Sequence, residues 1–202
     1  REGMSEHNLK TLALDGQIGL TGGFASAESW TLDGDASRVA FGSVKNNTTG
    51  EVHSFGGVAG SVTAEGDVSI EIDLSSVETN IDIRNERMIE HVFKNSPKAM
   101  LTAQIDMAEV NGLGVGDSTV FEADATLTLG GVEAELYADM FVLRLSENRV
   151  MVSTNDMVML SMEDVELTGG IDKLMELAEL PGITHVSPVT LRFVFSMDEQ
   201  KA

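Results

Sequence analysis

The chain has 202 residues, 42% of them apolar, and a formal charge of −20. That length and apolar share support one domain with a real core and exclude a disordered chain. The charge repels phosphate backbones and anionic surfaces, so nucleic acid is not an expected partner. The absence of cysteine removes disulfides, thiolate metal sites and a thiol nucleophile. No run approaches 18 apolar residues, so no helical membrane span is expected. Arg1–Lys10 is polar and lacks the apolar core of a signal peptide. The chain is therefore cytosolic, or it starts after a removed signal or inside a longer protein.

In chain order, residues 1–29 are rich in Gly, Ala and Ser around "DGQIGLTGGFASAES" and lack periodicity. They are expected to be a flexible arm or linker, with the fold occupying 30–202 from Trp30 onward. From there a period of two dominates, the mark of strands with one apolar face. "SRVAFGSVK" and "EVHSF" are short, less clean examples. In "DVSIEIDL", Val68, Ile70, Ile72 and Leu74 share a face. "KAMLTAQIDM" aligns Ala99, Leu101, Ala103, Ile105 and Met107. "TVFEADATLTL" aligns Phe121, Ala123, Ala125, Leu127 and Leu129. "AELYADMFVLRL" and "RVMVST" follow, and "PVTLRFVF" aligns Val189, Leu191, Phe193 and Phe195.

Turn signals separate these runs at "NNTTG", "AEGD", "NGLGVGDS", "LGG" and "SENR". Two segments have helical spacing instead. "NERMIEHVFK" places Met88, Ile89, Val92 and Phe93 on one face, with Asn85 as the expected N-cap. "GIDKLMELAELPG" places Ile171, Leu174, Met175 and Ala178 together, after Gly169–Gly170 and before Pro181–Gly182. The expected fold is mainly β: an antiparallel barrel of about eight strands with two short helices.

Catalytic patterns are absent. "NGLGVGDS" lacks the spacing and following helix of a phosphate-binding loop. "DGDASRVAFGSV" opens like a calcium loop but has Arg38 where glycine is required and Val44 where the bidentate acid belongs. His7, His53, His91 and His185 show no metal-ligand spacing, and no G-x-S-x-G elbow exists. No enzyme activity, metal or obligatory cofactor is expected. The sequons at Asn46 and Asn47 read more simply as a polar hairpin turn.

Two features stay open between function and structure. Eleven methionines, among them Met88 and Met140, suit a cavity for an irregular apolar ligand, although ordinary core filling is the plainer reading. Arg84 and Arg87, in an acidic chain, are either solvated partners of acidic neighbours or a cationic rim at a pocket mouth.

Three stretches together resemble the YceI-like family. The first is "WTLDGDASRVAFGSVK", through Trp30, Ser37, Val39, Phe41 and Lys45. The second is "VSIEIDLSSVETNIDIRNERMIEHVFKNSPKAMLTA", through Ser76, Val77, Thr79, Arg84, Asn85, Met88, Phe93 and Pro97. The third is "ADATLTLGGVEAEL", through Leu127, Thr128, Leu129, Gly131 and Val132. The likeness spans roughly residues 30–155 and departs at Arg87, where the family carries histidine, and in the tail helix near 171–179.

The resemblance implies a lipocalin-like barrel holding a long isoprenoid chain, such as ubiquinone or a polyprenyl phosphate, in a non-enzymatic bacterial protein of the periplasm or exterior. The expected chain-contacting residues are Phe41, Phe55, Met88, Phe93, Leu101, Ala103, Phe121, Ala125, Leu127, Met140 and Phe193. Arg84, Arg87 and Lys45 are expected at the headgroup. The rival expectation is a structural or interaction module of a secreted multidomain protein, its interior filled by its own side chains. Further domains and a homodimer remain open as partners.

Overall fold

A computed structural model describes residues 28–199. The arm expected over 1–29 lies outside them except for Glu28 and Ser29. Twelve strands among the described residues build one antiparallel sheet that closes on itself. They are β1 (Trp30–Leu32), β2 (Arg38–Lys45), β3 (Thr49–Phe55), β4 (Val58–Val62), β5 (Asp67–Asp73), β6 (Val77–Glu78), β7 (Lys98–Gln104), β8 (Ser118–Leu129), β9 (Val132–Ser146), β10 (Arg149–Thr154), β11 (Val158–Ser161) and β12 (Val186–Met197).

The twelve are eight long strands, four of them broken in the middle. β1 and β2 pair with successive parts of the same edge of β12, from Met197 back to Val189. β10 and β11 do the same on its other edge. β4 continues β3 along β1 and β2, and β6 continues β5 along β4 and β3. The result is the closed eight-stranded antiparallel barrel expected from the alternation.

Three of the breaks sit side by side. The Asp33 carboxylate accepts the Asp35 and Ala36 amides and ends β1 in a turn. A Cβ on Gly34 would lie 2.7 Å from the Val58 carbonyl, and one on Gly57 would lie 2.8 Å from the Asp73 Cβ. Asp73 in turn caps a 3-10 turn over Leu74–Ser76 through the Ser75 amide. Glycines where neighbouring backbones approach, and aspartates that satisfy turn amides, bend the wall along one line. The "LGG" turn uses Gly130 and Gly131 at φ of 58° and 83°, the left-handed pair a two-residue hairpin demands. Asn46 and Asn47 occupy left-handed positions in the same way, in keeping with a hairpin turn at the sequons.

The helical parts refine the expected pattern in four places. α1 (Asp82–Arg87) starts earlier than expected, so Asn85 is inside it and is not the N-cap. Its side-chain oxygen instead accepts bonds from the Thr79 amide at 2.8 Å and the Thr79 hydroxyl at 2.6 Å. Met88–Val92 continues as a π-turn, with the Phe93 amide bonding the Met88 carbonyl five residues back. That wider spacing brings Met88 and Phe93 to one face. β7 ends at Gln104, and Met107 opens an additional helix, α2 (Met107–Asn111), rather than prolonging the strand. Asp106 caps it through the Ala108 amide, a stronger local signal than the alternation that ran on to Met107. Gly169 and Gly170 lie inside α3 (Thr168–Ala178) rather than before it.

α3 lies on the π-turn, because Gly170 has no side chain. A Cβ there would lie 2.6 Å from the His91 carbonyl oxygen and 2.7 Å from the Val92 Cα. Ile171 and Leu174 are buried on the inner side of α3.

Candidate functional site

The inward faces leave two adjoining chambers, of about 370 and about 120 Å³. Leu101, Leu136, Val158 and Leu191 line both and form the waist between them. The lower chamber is wholly apolar. Trp30 and Met107 and Val110 of α2 line it, and the Arg144 guanidinium stacks over the Trp30 ring at 5.3 Å on that side.

The upper chamber runs beneath α1, the π-turn and α3. Ile81 and Ile83 line it while remaining about half exposed, and Leu180, Ile183 and Thr184 line it too. Its mouth therefore lies by the start of α1. The larger volume falls within the usual range for small-molecule pockets.

The chain-contacting residues expected from the sequence divide between the chambers. Phe41, Phe55, Met88, Phe93 and Leu127 line the upper one. Ala103, Phe121, Ala125, Met140 and Phe193 line the lower one, and Leu101 belongs to the waist. Phe41 stacks on Phe55 at 5.2 Å, and Phe93 tilts against Phe55 at 5.8 Å. Ala103 and Ala125 face each other in register across β7 and β8, which keeps the lower chamber wide. The methionines split: Met88, Met107, Met140 and Met162 line the chambers, whereas Met157 and Met159 are exposed outside.

Polarity enters at one corner. The β2–β3 hairpin turns Val39, Phe41, Ser43 and Lys45 inward, opposite Phe55, His53 and Glu51. Its inner face is apolar at the waist and polar toward the tip. The two Glu51 oxygens each hold a cation: Lys45 Nζ at 3.0 Å and an Arg84 terminal nitrogen at 2.8 Å. Arg84 also donates to the Thr79 carbonyl at 2.6 Å. Lys45 and Arg84 thus line the chamber, but each is already paired with a carboxylate. Arg87 lines it as well and donates at 3.4 Å to the Leu177 carbonyl in the last turn of α3, a favourable place for a positive charge.

Glu51 and His53 are residues that reading the sequence missed. "EVHSF" alternates too weakly to orient by itself. Set opposite "RVAFGSVK", however, Phe41 faces His53 and Ser43 faces Glu51. His53 is 5% exposed, and its Nε2 pairs with the Ser43 hydroxyl at 3.0 Å. Burial, with the Arg84 charge adding to it, holds its pKa below the ordinary histidine value, so the ring is neutral at pH 7. For Glu51, burial acts to raise the pKa. The Lys45 hydrogen bond and the Arg84 charge outweigh it and leave the carboxylate below its usual value. His53 Nδ1 and Arg84 Nε are buried and have no hydrogen-bond partner. Among the described residues, no three of His, Asp or Glu converge as a metal site would need. Nor is any of their helices long and apolar enough to cross a membrane.

A closed antiparallel barrel with an elongated apolar interior and a polar corner at its mouth is a lipocalin-like fold. The YceI-like domain family model matches residues 30–174. A polyisoprenoid-binding domain from Saccharophagus degradans implicated in plant cell wall breakdown is 34% identical, with a TM-score of 0.82 over 84% of this chain and 98% of that one. BcnA of Burkholderia cenocepacia shares the fold at 13% identity, with a TM-score of 0.59 over 81% of this chain and 98% of its own. No curated protein matches the chain. The chain belongs to the YceI-like family.

Proposed function

We propose that the protein binds one long isoprenoid lipid, a ubiquinone or a polyprenyl phosphate, inside its barrel. It acts as a carrier, store or sensor and not as an enzyme, and it works in the bacterial periplasm or outside the cell. The observation that carries this reading is the pair of adjoining apolar chambers with polar groups at one corner only. Such an interior suits a long hydrocarbon with a single polar end. Apolar area removed from water contributes about 25 cal/mol per Å², so a long chain binds tightly with few polar contacts.

The 34% identical Saccharophagus domain is described as polyisoprenoid-binding, which supports the same ligand class. The open interior speaks against a barrel filled by its own side chains. The periplasmic or secreted setting rests on the family resemblance. Organic extraction of the purified protein followed by mass spectrometry should release an isoprenoid lipid, and delipidated protein should take up added ubiquinone. Finding no lipid and no uptake would overturn the reading.

A further inference from the structure

The outer wall of the barrel carries a surface for which lipid binding has no use. Met140 and Val142 of β9 are buried toward the interior, so Phe141 and Leu143 point outward. Phe141 faces Val120 of β8 and Ser153 of β10, and Leu143 faces Met151 of β10. Leu145 follows on the same side of β9. Val120 is 47% exposed and Leu145 41%, while Phe141, Leu143 and Met151 are partly exposed. The apolar strip crosses three strands, about 10 Å, on the outside of the lower chamber and away from the mouth. Toward the β8–β9 turn the same face becomes acidic. Glu122, Asp124, Glu135 and Asp139 are exposed there around Tyr137, which is 70% exposed. Glu122 and Asp139 stand directly opposite each other, an arrangement that costs the fold stability. Among the described residues, none of these four carboxylates is in an ion pair. From Ala99 to Leu143 the sequence contains no Lys, Arg or His that could neutralise them. Contiguous exposed apolar residues with an aromatic beside them mark protein interfaces. The carboxylates select what covers this one. An anionic membrane is repelled, and a second copy would bring the same carboxylates to a chain that already carries −20.

We propose that the outer face of β8, β9 and β10 docks a basic protein partner. Apolar side chains of the partner seat on Val120, Phe141, Leu143, Leu145 and Met151, and lysines or arginines beside them meet Glu122, Asp124, Glu135 and Asp139. Those cations relieve the repulsion between Glu122 and Asp139 and set the orientation of the complex. The mouth by α1 stays free, so docking needs no ligand in the barrel and does not block one.

The test titrates two fluorescent peptides onto the full chain. One is an amphipathic helix with a leucine face next to a lysine cluster, and the other is a scramble of the same composition and charge. The wild type should bind the first at least about ten-fold tighter than the scramble. Glu122→Gln with Asp139→Asn should weaken that binding at least about five-fold, and so should Val120→Ser with Leu145→Ser. Glu163→Gln with Asp164→Asn removes the same charge from the exposed turn before α3 and should change binding less than about two-fold. Circular dichroism at the titration temperature confirms that each variant is folded. The proposal is overturned if the first peptide does not bind or binds no better than the scramble. An equal loss in the Glu163 and Asp164 control, or no loss in Val120→Ser with Leu145→Ser, overturns it as well. A concentration-dependent dimer in sedimentation that Val120→Ser with Leu145→Ser dissolves would assign the face to a second copy and overturn the basic partner.

Discussion

Arg84, on α1, is held 2.8 Å from Glu51, on β3, and this pair ties the helix over the mouth to the barrel wall. Both side chains are about one-fifth exposed, which places the pair between a solvated ion pair and a buried one. The same guanidinium donates to the Thr79 carbonyl in the link between β6 and α1. Arg84 is therefore a structural residue whatever it does for a ligand. Arg84→Ala should lower stability by about 1–3 kcal/mol in urea denaturation, because it leaves Glu51 and the Thr79 carbonyl short of a partner. Arg87→Ala, losing one long bond to Leu177, should cost less than about 1 kcal/mol. A double-mutant cycle of Arg84→Ala with Glu51→Gln should show coupling above about 0.5 kcal/mol. Equal losses for the two arginines would contradict this assignment.

Gly170 tests how the cover is attached. Alanine inside a helix is ordinarily favoured over glycine by about 1 kcal/mol. Here the added Cβ meets backbone at 2.6 and 2.7 Å, which no side-chain rotation can relieve. The clash should dominate: Gly170→Ala is expected to destabilise by about 1–3 kcal/mol and to lift α3 from the π-turn. Bound lipid should then exchange faster in a transfer assay between protein and vesicles. A stabilised variant with unchanged exchange would show that α3 does not rest there.

Stability should fall in two stages as pH drops. Burial holds the folded His53 pKa below the ordinary histidine value of 6.5, so the unfolded chain binds the proton more readily. Its contribution is fully present above about 6.5 and is lost as pH falls from there through the lower, folded pKa. Glu51 also has a folded pKa below the ordinary glutamate value of 4.5, and its contribution is lost as pH falls from there through the lower, folded pKa. Denaturant midpoints measured from pH 7 down to about 3 should show both losses. His53→Gln should flatten the first and leave the second. A first stage that persists in His53→Gln would assign it to another group.

The lower chamber should set how long a chain fits. Ala103 and Ala125 face each other across two strands, so Ala103→Leu with Ala125→Leu fills the space between them. The chamber absorbs the added methyl groups, so the stability change should stay below about 1 kcal/mol. Lipid profiles by mass spectrometry should shift toward shorter chains. Unchanged chain lengths would mean that the tail does not pass the waist.

Much of the wall is legible in the sequence, because a strand's side-chain period of two is local. Phe121, Ala123, Ala125, Leu127 and Leu129 declare one face by themselves, and all five line the chambers. The helix at Ile171–Ala178 was legible for the same reason, as were the turns at Asn46–Asn47 and Gly130–Gly131. Boundaries were less secure where capping competes with periodicity. Asp106 starts a helix inside an apparent strand, and Asn85 gives its side chain to Thr79 instead of to a helix end.

The residues around the mouth follow another rule, since their partners lie on other elements: Glu51 is six residues from Lys45 across a hairpin and 33 from Arg84. Lys45, Glu51 and Arg84 come from β2, β3 and α1, and no local pattern in "EVHSF" or "NIDIRNERM" reveals that they meet. Their meeting depends on the register of β2 against β3, and on α3 sitting over the π-turn where Gly170 admits it. Local periodicity determined that this chain builds a barrel with an apolar inside. The register of the β2–β3 hairpin and the seating of α1 over it decided that two cations share one carboxylate, and that His53 is enclosed beside them. Hydrogen-bond register and close packing select partners across the whole fold, and a side chain's place in its own strand does not encode them.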